Sequence, residues 1–188
     1  LTEEKAKSVP ERLGLKDYKI ILNAIDSREK TDDYTGWAKF MNDNGQIKGL
    51  VQLKDGKPDG PLTQWYENGQ KKSVVNWKDG KQDGLSTGWH ENGQKWKEGT
   101  NKNGKEGGLW TTWYQNGQKN SVVNWKDGKP DGLMTRWYED GQKSVEVNWK
   151  AGKQDGLSTG WYEDGQKQGE GNYKGGKQDG LSKRWYPS

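Results

Sequence analysis

Few residues here could do acid–base, nucleophilic or metal chemistry, and most of them recur instead of converging. His90 is the single histidine and there is no cysteine. That excludes disulfides, Cys–His nucleophiles, and zinc sites built on histidine or cysteine. His90 also stands where neighbouring copies of the same phrase carry Tyr66 and Tyr114, so it reads as a surface substitution and not as a general base. Recurrent carboxylates such as Asp79 and Asp83 lack the alternating ligand ladder of a calcium loop, and Lys78 and Lys81 flank them. Turn formation and pairing with lysine account for them better. Phosphate-cradling glycines need a strand-to-helix setting, whereas these glycines follow Asn or Asp in hairpin signals. A catalytic constellation brings unlike residues together once, and here every candidate is copied. No catalytic residue, no cofactor and no metal site is expected, and the chain is not read as an enzyme.

The copying itself organises the chain. Gly60, Gly84, Gly108, Gly132, Gly156 and Gly180 recur every 24 residues, as do Trp65, Trp89, Trp113, Trp137, Trp161 and Trp185. A fixed period of this size marks a repeat architecture. Full repeats run over 60–83, 84–107, 108–131, 132–155 and 156–179, after a worn copy at 36–59 and before a half copy at 180–188. Residues 1–33 form an N-terminal extension, and 34–188 form the repeat domain. Within the extension, Tyr18 to Ile25 is the one strongly aliphatic stretch; a strand capping the sheet is favoured over a short helix opened by Asp17. In the worn copy, Phe40 is expected in the tryptophan column, displaced by one residue.

Composition agrees with repeats more than with an ordinary globule. Apolar residues make up 27% of the chain, well below the roughly 45–50% of typical domains. Twelve Trp and eight Tyr compensate, because each can bury roughly 150–250 Å². The net charge of +4 comes almost entirely from lysines interleaved with Asp and Glu, a mixed surface without the arginine-rich face of a nucleic-acid groove. No apolar run approaches the roughly 18 residues of a membrane-spanning helix. The chain starts at Leu1, which is compatible with a removed leader, and a secreted or periplasmic location is favoured over a cytoplasmic one.

Each repeat reads as two strands and two hairpin turns, because Asn-Gly and Asp-Gly separate alternating stretches. A two-residue loop at Asp79-Gly80 would set Val75 and Trp77 on the face opposite Leu85, Thr87 and Trp89 and split the core. Three-residue loops, Lys78-Asp79-Gly80 and Glu67-Asn68-Gly69, would gather all of them on one face, and a slip of one residue would undo that. Three-residue loops at both ends are therefore expected. The fold class is all-β: an elongated, single meandering antiparallel sheet of 24-residue hairpins, twisted into a trough or half-barrel with its indoles inside.

The phrases Trp65 to Lys71 and Trp77 to Gly84, with their copies, resemble the MORN repeat, and more closely the variant found in the bacterial YwqK-type "antitoxin" family. The resemblance covers residues 34–188. It implies a MORN-like β-sheet and no catalytic residues, and it brings two expectations: neutralisation of a toxin, and the protein or phospholipid contacts made by MORN repeats elsewhere. The expected function is a non-enzymatic interaction module for a protein partner. Membrane-surface binding is the alternative, and glycan or choline-type cell-wall binding a further one. A monomer is expected, and nucleic acid is not expected as a partner. Exposed aromatics suit an interface, so Tyr66, His90, Tyr114, Tyr138 and Tyr162 are candidate contacts. The copy at 84–107 departs from the pattern. There Asn101 stands in the Trp77 column, Gly99 replaces Val75, Gly107 replaces the turn aspartate, and Trp96 takes the place of Lys72. Trp96 and Asn101 complete the candidate contacts.

Overall fold

A computed structural model describes residues 18–22, 34–41 and 45–186. Every regular element among them is a β-strand. The chain divides into two compact units, Leu1–Gly93 and Gln94–Ser188, and in each the strands follow the sheet in chain order.

The first unit holds β1 (Tyr18–Leu22), β2 (Gly36–Met41), β3 (Ile47–Lys54), β4 (Lys57–Trp65), β5 (Lys71–Lys78) and β6 (Lys81–Trp89). The strand expected in the extension is β1, and it runs parallel to β2 with Tyr18 opposite Trp37. The remainder of the extension and the worn turn at 42–44 lie outside the described residues. Here the worn copy supplies an aliphatic core: Ala38, Val51 and Leu53 are buried, with Tyr34, Phe40 and Leu62 packed against them. The second unit holds β7 (Lys95–Lys102), β8 (Lys105–Trp113), β9 (Lys119–Lys126), β10 (Lys129–Trp137), β11 (Lys143–Lys150), β12 (Lys153–Trp161), β13 (Lys167–Lys174) and β14 (Lys177–Arg184). All its strand pairs are antiparallel.

The long turn is the three-residue loop expected from the sequence. Tyr66 N–H donates to the Gln70 carbonyl and Gly69 N–H to the Tyr66 carbonyl, with Gly69 at φ 82°. The short turn is not. Lys78 pairs with Lys81, which leaves a two-residue loop with Asp79 at φ 48° and Gly80 at φ 76°. Positive φ at both central residues is the turn that matches strand twist, and Asn or Asp followed by Gly adopts it at least cost. The register then shifts: Trp77 faces Gln82, but Val75 faces Ser86. The extra residues on β6 form a bulge at Gly84, which sits at φ 108° with the side-chain amide of Asn76 donating to the Leu85 carbonyl.

This corrects the expected faces. Strand alternation now sets Leu62, Val75, Trp77 and Ser86 on one face and Thr63, Val74, Thr87 and Trp89 on the other. The indoles are shared between the two faces instead of gathered on one. The sheet is thus partly covered on each side, and small residues such as Ser86 and Thr87 are among its most buried. Phe40 is also displaced from the indole column: Met41 holds the Trp65 position, while Phe40 lies on the opposite face over Gly49.

Successive repeats are tied side by side. Tyr66 Oη donates to the Trp89 carbonyl in the first unit; in the second, Tyr114, Tyr138 and Tyr162 donate to the carbonyls of Trp137, Trp161 and Trp185, at 2.7–3.0 Å. Asn68 and Asn116 each do two jobs. Their Oδ1 accepts from the backbone of their own turn, and their Nδ2 donates to the Glu91 or Glu139 carbonyl one repeat on. Asp140 and Asp164 can make only the first of these bonds. The short turns are caught likewise: Gly128 N–H donates to the Glu106 carbonyl, and Asp131 Oδ2 accepts from the Ala151 backbone.

Two outcomes are expected. Tyr138→Phe removes an inter-repeat tie and costs about 1 kcal/mol, read as a lower urea midpoint with an unchanged slope. Ala151 sits at φ 50° in a turn position favouring Asn. Ala151→Asn is expected to raise stability by about 0.5 kcal/mol or more, measured by the same titration.

Candidate functional site

The tyrosines expected as contacts are half-buried and their hydroxyls are committed to the ties just described. His90 occupies the same turn position, half-buried, with its carbonyl accepting from Gly93 N–H. Asn101 is 4% exposed and so lies beneath the surface. Trp96 is half-buried, with the Lys97 ammonium 4.6 Å from its ring centre.

What the sequence reading missed at the broken copy is Trp110. Its indole lies against Gly99, in the space that a Cβ there would fill, and its Nε1 donates to the Thr100 carbonyl at 3.2 Å. The other copies carry Leu62, Ser86, Met134, Ser158 and Ser182 at the position of Trp110 and, with Gly171 excepted, valine at the position of Gly99. Lys97 Nζ lies 6.0 Å from the Trp110 ring as well. The departure is therefore a fitted pair: loss of a side chain on β7 makes room for a large one on β8. Trp110 against its Leu, Ser and Met counterparts was the available signal.

The exposed apolar surface of the second unit is ordered. Leu109, Leu133, Leu157 and Leu181 are 60, 49, 46 and 91% exposed. Regular pairing of β8 with β9 and of β10 with β11 places Leu109 and Leu133 on the face of Thr111, Thr135 and the Trp113 column. One leucine per two strands gives a row with a step of about 9.6 Å. The bulge glycine precedes each leucine, so the same residue that shifts the register delivers an apolar side chain to the surface. Asn148 is the cross-strand neighbour of Leu133, and its amide holds the Leu157 carbonyl at 3.0 Å.

The same face carries charges held in place. Lys95, Lys143 and Lys167 pair with Glu98, Glu146 and Glu170 at 2.6–2.9 Å, and their ammonium groups lie 5.8–6.0 Å from the rings of Trp113, Trp161 and Trp185. Half-exposed pairs of this kind contribute little to stability but orient the rim. The hydrogen bond from Lys167 holds the Glu170 carboxyl below its ordinary range; desolvation opposes it, and the charges of Lys167 and Lys183 each add a lesser lowering effect. A depressed carboxyl pKa makes that contact complete at neutral pH and lost as pH falls through the folded value.

A meander of short antiparallel strands in phase with a 24-residue repeat defines a tandem β-hairpin repeat protein. The family model of the MORN repeat variant matches residues 58–79, 82–103, 106–127, 130–151 and 154–174. These five segments cover more than half of the chain, which belongs to that family. No curated protein matches the chain.

The Gly99–Trp110 fit makes a coupled prediction. Gly99→Val restores the common residue but meets the indole and costs about 1–3 kcal/mol. Adding Trp110→Ser is expected to recover most of that loss, giving a coupling energy in a double-mutant cycle by denaturant titration.

Proposed function

We propose that this chain is a non-enzymatic interaction module that binds a protein partner through the leucine-bearing face of its second unit. The observation that carries this reading is the row of Leu109, Leu133, Leu157 and Leu181, each close to half exposed or more. Scattered surface leucines need no explanation, but an ordered apolar row rimmed by charges marks a contact surface. The indoles of Trp113, Trp137 and Trp161 flank the row, and oriented Lys–Glu pairs border it, the arrangement of an apolar centre with a polar rim. MORN repeats are generally associated with protein or membrane binding, which supports the same class of role. Trp96, half-buried beside Lys97, is an outlying contact on this reading. The finer version is that the partner is a toxin which the chain neutralises, as the YwqK-type resemblance implies.

A second reading has its own observation. Each short turn of the second unit presents two exposed lysines, such as Lys126 with Lys129 and Lys150 with Lys153. Aligned ammonium groups are attracted to an anionic lipid surface. Asp127, Asp131 and Asp155 lie among them and reduce that attraction, which places the protein partner first.

The test uses Leu133→Glu with Leu157→Glu. Both sites are exposed, so stability should change by no more than about 0.5 kcal/mol each. The wild-type chain is expected to retain one stoichiometric protein that the double variant retains at least tenfold more weakly. Equal retention by the double variant would sink the leucine row as the interface. Salt-sensitive flotation with phosphatidylserine vesicles, in the absence of such a protein, would favour the lipid reading. For the toxin version, co-expression should relieve the toxicity of the retained protein, and the double variant should not.

A further inference from the structure

The surface of the first unit carries an open hollow of about 480 Å³ lined by Gln46, Ile47, Lys48, Trp65, Tyr66, Glu67, Asn68, Lys72 and Glu91. That volume is within the range of small-molecule sites, roughly 300–1,000 Å³. From its chemistry we infer that it is a binding site for a neutral oligosaccharide, separate from the leucine row and independent of it.

The hollow exists because the worn copy departs from the repeat. In three later copies the chain's own lysine ammonium lies near the tryptophan ring 18 residues on: Lys95 near Trp113, Lys143 near Trp161 and Lys167 near Trp185. The counterpart of those lysines beside Trp65 is Ile47. No ammonium from that position reaches the Trp65 ring, and an apolar side chain borders it instead. Tyr66 is fixed beside it by the bond from its hydroxyl to the Trp89 carbonyl at 2.7 Å, and Lys72 Nζ lies 5.4 Å from its ring centre. Trp65, Tyr66 and Ile47 thus give the hollow an apolar, aromatic part that does not have to be assembled on binding.

The rim selects the ligand class. Lys48 and Lys72 line it together with Glu67 and Glu91, and Gln46 adds a carboxamide, so donors and acceptors are mixed with no net charge. An anion such as phosphate would meet two carboxylates, and a lone cation two ammonium groups. A sugar ring has the complementary surface: hydroxyls at its edge for the mixed rim, and an apolar C–H face for the electron-rich aromatic face. Two or three rings of a linear oligosaccharide would fill the space.

The test titrates the full chain with cellotriose and with triacetylchitotriose, followed by tryptophan fluorescence and by saturation-transfer NMR from the aromatic protons. Choline chloride and inorganic phosphate serve as charged probes. Saturable binding of at least one of the two saccharides is expected. Ile47→Lys returns the side chain that all five full copies carry and should weaken that binding at least tenfold, with thermal unfolding confirming the fold. Lys48→Ala, at an exposed rim position, should weaken it severalfold, and Leu133→Glu in the other unit should leave it unchanged. Failure of both saccharides to bind overturns the proposal. So does a saccharide affinity that Ile47→Lys leaves intact, or a response to choline or phosphate in preference to both sugars.

Discussion

The bond from one tyrosine hydroxyl to the tryptophan carbonyl of the next repeat is the contact on which the sheet depends. Backbone ladders join strands anywhere along their length, but they do not decide how far a long turn leans toward its neighbour. The phenol does. It spans 23 residues in every case seen, from Tyr66 to Trp89 and from Tyr162 to Trp185, and it satisfies a carbonyl at the strand end where the ladder stops. Asn68 and Asn116 add a second tie beside it, and the short turns are joined at their own end by glycine N–H groups. Where both bonds are present a repeat is held at both tips by its neighbour, and the aliphatic core of an ordinary domain is supplied only by the worn copy. A chain with 27% apolar residues can remain ordered under these conditions, because the small buried residues between the ties, Thr87, Thr135 and Thr159 among them, lie within paired strands whose backbone is already satisfied.

Much of this was legible in the sequence, and the limits have a physical origin. The period announced the repeat, and Asn-Gly and Asp-Gly announced the turns. A three-residue loop at Asp79-Gly80 follows only from one unbroken alternation along each strand and one buried face. The bulge at Gly84 breaks that alternation. A glycine inside a strand is a known mark of a bulge, and its recurrence at Gly132 and Gly156, each at φ of 108–110°, was the clue. With the bulge in place, a two-residue turn and a divided set of indoles are compatible. The site was less legible than the fold. Tyrosines that looked available to a partner are structural ties, and Asn101 is buried, whereas the exposed leucines read in the sequence as ordinary core residues. Burial was assigned by residue type, and here position along the strand outweighs type: the leucine after each bulge glycine is exposed, while Thr87, Thr135 and Thr159, two residues further along the same face, are buried.

One functional proposal rests on the regular repeat and the other on a departure from it. The leucine row is regular, but its exposure follows from the bulge and not from any need of the sheet. The hollow at Trp65 follows from Ile47 standing where a lysine would otherwise lie across the ring. In a protein whose copies are nearly alike, the regular part supplies spacing and the irregular part supplies distinction.

The fit of Trp110 against Gly99 shows how such distinction persists. The two partners lie in different copies, Gly99 in 84–107 and Trp110 in 108–131. Repeat arrays grow and are homogenised by exchange of whole units, and a unit moved alone would carry the vacancy without its plug or the plug without its vacancy. The plug without its vacancy would harm the recipient sheet, whereas the vacancy alone is tolerated, as where Gly171 faces Ser182. The pair is thereby protected from being overwritten by its neighbours and barred from spreading to them, which makes it a fixed landmark in an array otherwise free to slide in register with its own history.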